Sequence, residues 1–270
     1  MNKLTVIKVG GKIVEEEESL KQLLDDFARI EGHKILVHGG GRSATKIAER
    51  LGIQSNMVDG RRITDAATLQ IVTMVYGGLV NKNIVARLQA LDVNALGLTG
   101  ADMDVIRSEK RPVKEIDYGF VGDVKYVKSE TLQWLIDKDI VPIMAPLTHD
   151  GKGNILNTNA DTIAAETAQA MSAHYDVTLV YCFEKKGVLM DENDDNSVIS
   201  RLDKELYQKY IDEGVITGGM LPKLDNAFRS IEKGVKAVII TQASEIGKDS
   251  GTRIICCLLY TSPSPRDRQK

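Results

Sequence analysis

Cysteine is scarce in this sequence: three residues in 270, two of them adjacent. That set makes no disulfide framework and suits a reducing compartment, so a cytoplasmic location is expected. Cys182, Cys256 and Cys257 read as core thiols rather than nucleophiles. No apolar run is long enough to span a bilayer, and no signal-peptide pattern precedes the first strand pattern, so no membrane partner is expected. The net charge is only −3 and the charged residues are dispersed, which leaves no nucleic-acid footprint. The four histidines, His33, His38, His149 and His174, lack metal-ligand spacing, so no metal site built from side chains is expected. Three nucleotide signatures are missing too. There is no G-x-x-x-x-G-K-[ST], hence no P-loop by motif. No G-x-G-x-x-G follows the first strand, which disfavours a dinucleotide-dependent dehydrogenase. The protein-kinase loop signatures are absent.

What is present is an alternation of apolar strands and helical patterns, the mark of an α/β protein with a mainly parallel sheet. Strands are expected at 4–9, 34–37, 95–98, 141–145, 177–182 and 237–241. A helix with Leu20, Leu23, Leu24, Phe27 and Ile30 on one face stops at Gly32. Others are expected at 43–51, 129–139, 161–171, 204–213 and 221–233. A long helix capped by Thr64 runs to about Leu91, with more apolar surface than one stripe requires; such a helix suits contact with a second subunit. The stretch 105–127 reads as β-hairpins at one edge. A hinge at 173–176 would divide an N-terminal lobe, 1–173, from a C-terminal lobe, 174–257. Residues 258–270, with two prolines and no period, read as a disordered or non-native tail.

Two glycine-rich turns carry the strongest chemical signal. Gly10-Gly11 follows the first strand and Gly39-Gly40-Gly41 the second. Without a Cβ, such turns let backbone N–H groups approach an anion closely. Lys8, inside an apolar strand, costs desolvation unless an anion or acid meets it; the alternative is a lysine snorkelling from the strand's mouth. Two cradles facing each other suit phosphoryl transfer. Lys223 follows Gly218-Gly219 and Pro222 at a helix start, where an anion is welcome, but an ordinary surface lysine fits equally. Asp161 reads as an N-cap or as a carboxylate that orients the two lysines. Asn157 and Asn159 are substrate donors or turn formers. Arg62 is a carboxylate clamp or half of a solvated pair with Arg61. The loop from Glu184 to Leu189 holds a nucleotide or is a solvated turn, and His38 touches a ligand or is a satisfied buried histidine.

Taken in order, six segments resemble the amino-acid kinase family, and within it the branch that phosphorylates N-acylated glutamate. They are Lys8-Val9-Gly10-Gly11, His38 to Gly41, Asp59 to Thr64, Asn157 to Asp161, Ile216 to Lys223, and Gly251 to Ile254. The resemblance implies a three-layer αβα sandwich. It implies ATP-dependent phosphorylation of the γ-carboxylate of N-acetyl-L-glutamate in arginine biosynthesis, with N-succinyl-L-glutamate as the alternative acceptor. Lys8 and Lys223 would then stabilise the transferring phosphoryl group, Asp161 would organise them, and Gly11 and Gly40 would offer amides. Gly40, Gly41, Arg62 and Asn157 match acceptor positions. ATP would lie in the C-terminal lobe on Glu184, Lys185, Gly187, Val188, Leu189, Val215, Ile216 and Thr217, and Mg²⁺ would arrive with it, bound mainly by phosphate. Glu184 stands where the family usually has aspartate, and Lys185 and Lys186 follow it. The resemblance also implies a homodimer through helix 65–91. The short lead before the first strand leaves no room for the extra helix of hexameric, arginine-inhibited members. A non-catalytic amino-acid sensor on the same scaffold is the rival; joint retention of Lys8, Asp161 and Lys223 speaks against it.

Overall fold

The computed structural model describes residues 1–58, 61–248 and 250–256; the expected tail at 258–270, Cys257, and Asp59 and Gly60 lie outside them. Eight strands form the central sheet, in the order Arg201–Leu202, Thr252–Ile254, Ala237–Gln242, Asp176–Phe183, Lys3–Val9, His33–His38, Val141–Met144 and Ala95–Leu98. All neighbours are parallel except Thr252–Ile254 against Ala237–Gln242. The strands are mostly β-branched and apolar because both faces are covered, as a parallel sheet requires.

The side-chain alternation of the first strand shows the three layers. Ile7 and Val9 join a core with Leu23, Leu24 and Phe27 of helix Glu17–Arg29. Leu4 and Val6 join the opposite core, with Ile163 and Ala164 of helix Ala160–Met171 and Leu224 and Phe228 of helix Leu221–Glu232. Lys8 shares the parity of Leu4 and Val6, so it faces helix Ala160–Met171. The connection after Lys3–Val9 runs over one face, and the connection after Asp176–Phe183 runs over the other. Between these adjacent strands the chain therefore opens a crevice at their carboxyl ends, the usual ligand position of an open α/β sheet.

Two expectations are corrected, and one buried charge is added to them. The stretch 105–127 does fold back on itself, as Ile106–Lys110 against Gly122–Val127, but it does not edge the central sheet. It joins Leu147–His149 and Ile155–Asn157 in a separate four-stranded sheet. Within the strand Ile106 and Ser108 are buried while Arg107, Glu109 and Lys110 are exposed, a one-sided pattern that suits an antiparallel sheet with one solvated face. The long helix is capped not by Thr64 but by Asp65, whose carboxylate accepts from Thr68 N at 2.7 Å. Thr64 is extended and bridges to Gly119. The helix runs over Ala66–Val72, a π-helical Thr73–Val80 and Asn81–Gln89, stopping short of Leu91. Val75, Tyr76 and Val80 enter the core, whereas Met74 and Leu79 remain 56% and 50% exposed, so the apolar surplus is divided between core and surface. Finally, Lys34, inside a strand, is buried and donates to the carbonyls of Phe27, Ala28 and Ile30 at 2.8–2.9 Å. It closes the helix that ends before Gly32, and burial lowers its pKa.

Candidate active site

Lys8 lies at the carboxyl end of the first strand, buried between backbone neighbours Val37 and Tyr181. Its ammonium is 2.8 Å from Asp161 Oδ1. The contact is an ion pair, and Oδ1 is buried with no hydrogen-bond partner among the described residues. Asp161 is free for this contact because it is not the helix cap. Asn159 takes that position and accepts from Asp161 N at 2.7 Å and Thr162 N at 3.2 Å.

Lys223 stands in the first turn of helix Leu221–Glu232, after Pro222. Its ammonium is 4.1 Å from the centroid of the Phe183 ring, and that of Lys8 is 5.5 Å from the same centroid. Two cations far apart in sequence thus converge on one ring, which attracts each weakly. Asp161 balances only one of them, so the junction carries surplus positive charge where an anion would be held.

The glycine turns meet face to face. Gly39 N donates to Val9 O at 3.1 Å. A Cβ on Gly39 would stand 3.1 Å from Gly11 N, and one on Gly11 would stand 3.6 Å from the amides of Gly40 and Gly41. A Cβ on Gly40 would lie 2.9 Å from the Tyr76 ring. Gly41 opens helix Gly41–Arg50, whose first amides have no intrahelical acceptor.

Three cavities adjoin this centre. The first is lined by Gly40, Gly41, Arg62, Tyr76 and Asn157. Arg62 is buried, not solvated, and donates to Ser55 Oγ, Gly41 O and Thr45 Oγ1 at 2.7–2.9 Å. Among the described residues these bonds use three of its five N–H donors. Asn157 donates to Thr64 Oγ1 at 2.9 Å, and Thr64 in turn donates to Arg62 O. Arg61 and Arg111 line it as well, the latter paired to Asp123. The second cavity is lined by Gly11, Lys12, Arg42, Glu184, Lys185 and Lys223. The third is lined by Gly187, Val188, Leu189, Val215, Ile216 and Thr217, and shares Lys185, Gly187 and Met220 with the second. Gly41 walls both the first and the second. Lys8 and Asp161 wall none of the three.

Two groups with shifted pKa values have bland explanations. Burial pushes the His38 imidazole down to about 4. It is fully enclosed, with Nδ1 against Gly39 O and Nε2 against Asn81 Nδ2, so it is a satisfied neutral histidine. Burial pushes the Cys182 thiol up to about 12, which leaves it protonated and unreactive although it borders the second cavity.

A model of the amino acid kinase family matches residues 3–242. The chain belongs to the amino acid kinase family. It is 74% identical over 252 residues to an acetylglutamate kinase of Bacteroides fragilis, covering 93% of this chain and 97% of that one. It is 68% identical over 254 residues to an acetylglutamate kinase of Parabacteroides distasonis, covering 94% and 100%. The solved carbamate kinase of Giardia lamblia bound to AMP-PNP superposes with a TM-score of 0.66 at 14% identity, covering 94% of this chain and 98% of that one, a likeness of fold. In this amino acid kinase, sequence reasoning missed Tyr76, Phe183 and Thr252. Tyr76 belongs to the apolar helix read as suited to a second subunit, yet its ring packs against Gly40. Thr252 Oγ1 accepts from Val188 N at 2.8 Å and fixes the loop after Asp176–Phe183. The signal for it was Gly251, whose φ of +87° favours glycine and whose neighbour is thereby aimed inward.

Proposed function

We propose that this amino acid kinase transfers the γ-phosphoryl group of ATP to the γ-carboxylate of N-acetyl-L-glutamate, yielding N-acetyl-L-glutamyl 5-phosphate for arginine biosynthesis. The observation that carries the reading is the convergence of the Lys8 and Lys223 ammonium groups on Phe183, where Phe183 and Lys223 line a cavity that shares Gly41 with the cavity of the buried arginine and Lys185, Gly187 and Met220 with the third. The high identity to curated acetylglutamate kinases supports it.

The acceptor is already ionised at neutral pH, so no general base is needed. The task is to suppress repulsion between two anions and hold them in line. Arg62 and Asn157 bind the acceptor, with Arg62 on its α-carboxylate. Gly11 and Gly40 direct amides at oxygens around the reaction centre. Lys8 and Lys223 stabilise charge on the moving phosphoryl group, and Asp161 fixes Lys8. Glu184 and Lys185 border the nucleotide cleft, and residues 187–189 and 215–217 receive the nucleotide. The donor set here is amides and ammonium groups, which fit phosphate. Among the described residues no three His, Cys, Asp or Glu side chains converge as a metal cage. Mg²⁺ would therefore enter on the phosphate oxygens, where it supplies further charge neutralisation. In this reading residues 1–173 bind the acceptor, residues 174–257 bind ATP, and the enzyme works in the cytoplasm. Two copies pair through the helix that bears Met74 and Leu79.

One observation favours a second acceptor. Arg61 and Arg111 line the acceptor cavity beside Arg62, and an acetyl methyl has no use for them. A carboxylate on the acyl arm would meet both, as in N-succinyl-L-glutamate. A coupled ADP-release assay with N-acetylglutamate, N-succinylglutamate, glutamate and aspartate tests both readings. Turnover with the first is expected. Preference for the second moves the assignment to the succinylated acceptor, and turnover with neither acylated compound removes the function.

A further inference from the structure

The second cavity holds charges that phosphoryl transfer through Lys8 and Lys223 does not use. Lys12 follows the first glycine turn, and Arg42 stands in the first turn of the helix after the second. Both reach one carboxylate, that of Glu184, which directly follows strand Asp176–Phe183. Lys12 Nζ is 3.2 Å from Glu184 Oε2, and Arg42 Nη2 is 3.9 Å from Glu184 Oε1. Each carboxylate oxygen thus faces one cation, and all three side chains line the cavity that Gly11 and Lys223 line.

The side chains are exposed by 40%, 60% and 57%, respectively. Ion pairs so wet are weak, and partners are readily exchanged. A polyphosphate carries more charge than a carboxylate and offers both cations oxygens at once. Glu184 therefore occupies an anion position that a nucleotide can claim.

We propose that Glu184 is a displaceable counter-ion: it holds Lys12 and Arg42 across the cleft, and the polyphosphate of the nucleotide takes its place on both cations. The inference rests on the reading of this cleft as the nucleotide site. It adds two phosphate ligands to the pair of lysines, and it gives Glu184 a sign opposite to that of a nucleotide-binding residue. Removing its charge releases two cations to the phosphates and strengthens binding. Removing the carboxylate of a true nucleotide ligand would weaken it. Through these pairs Glu184 ties both glycine turns to the end of strand Asp176–Phe183 until a nucleotide binds.

The test is calorimetric titration of the full chain with Mg²⁺–AMP-PNP and, separately, with inorganic tripolyphosphate. The variants are Glu184→Gln, Glu184→Ala, Lys12→Met and Arg42→Gln, each checked by thermal unfolding. Both Glu184 variants are expected to tighten both ligands about two- to five-fold, and each cation variant to weaken both by a similar factor, the scale of an exposed ion pair. These differences are expected to shrink in roughly 1 M salt, where the screening length is only about 3 Å. Unchanged or weaker binding in both Glu184 variants overturns the proposal, as does unchanged binding in both cation variants. Absence of AMP-PNP binding by the wild-type protein overturns the nucleotide reading instead.

Discussion

The side chain of Asn159 accepts a hydrogen bond from the backbone N–H of Asp161 at 2.7 Å. This contact divides two tasks that one aspartate cannot perform together. The cap is neutral, and the carboxylate two residues on is released to the Lys8 ammonium. Asp161→Asn is therefore expected to leave the helix start intact while lowering turnover about 10²-fold, the scale of one lost electrostatic element. Asn159→Ala is expected to cost about 1 kcal/mol of stability, the usual effect of a lost cap. Steady-state kinetics beside thermal unfolding separates the two, and equal unfolding losses in both would contradict the division.

Lys8 and Lys223 differ in setting although they share Phe183. Lys8 is buried and paired; Lys223 is exposed at the cleft. Replacing either by alanine is expected to lower kcat at least ~10²-fold. Only Lys8→Ala is expected to lower the melting temperature as well, because it strands a buried carboxylate oxygen. Near-normal turnover in either variant removes that residue from the mechanism.

Arg62→Ala removes the binding cation and three hydrogen bonds that hold the acceptor wall. The KM for the acylated glutamate is expected to rise roughly 10- to 100-fold, as for a lost hydrogen bond to a charged group, while the KM for ATP changes little. An unchanged acceptor KM discards the clamp.

His38 makes stability depend on pH. The unfolded imidazole takes a proton near 6.5, whereas burial holds the native one at about 4. Between these values the unfolded state binds more protons, so stability rises with pH there. It is fully present above the upper value and lost as pH falls through the lower one, by about 3 kcal/mol in all. Denaturant unfolding of the wild type and His38→Gln at pH ~7 and ~5 checks this: the variant is expected to lose less on acidification.

Much of the fold was legible because its signals are local. The six principal strands and the two glycine turns announce themselves by runs of apolar residues and by spacing. The α/β class follows from their alternation. What was not legible depends on partners distant in sequence. Thr64 and Asp65 are both acceptable caps, and only the bridge from Thr64 to Gly119 decides between them. Strand Thr252–Ile254 is short, and its insertion between Ala237–Gln242 and Arg201–Leu202 has no local mark. In the site, Lys8 stood out as a charge in an apolar strand. Arg62 and Arg61 were indistinguishable until the fold buried one and left the other in water. Tyr76 could not be singled out, since an aromatic in a helix is ordinary until a glycine is found beneath its ring.

The pairing of Val9 with His38 in adjacent parallel strands sets the two glycine turns side by side. A slip of one residue between those strands would shift one anchor past the other by about 3.3 Å, a full strand step. The alignment of donor and acceptor is consequently written into main-chain pairing rather than into the side chains that touch them. Ile7, Val37 and their enclosed neighbours, which never meet a substrate, are the parts of the molecule that calibrate it.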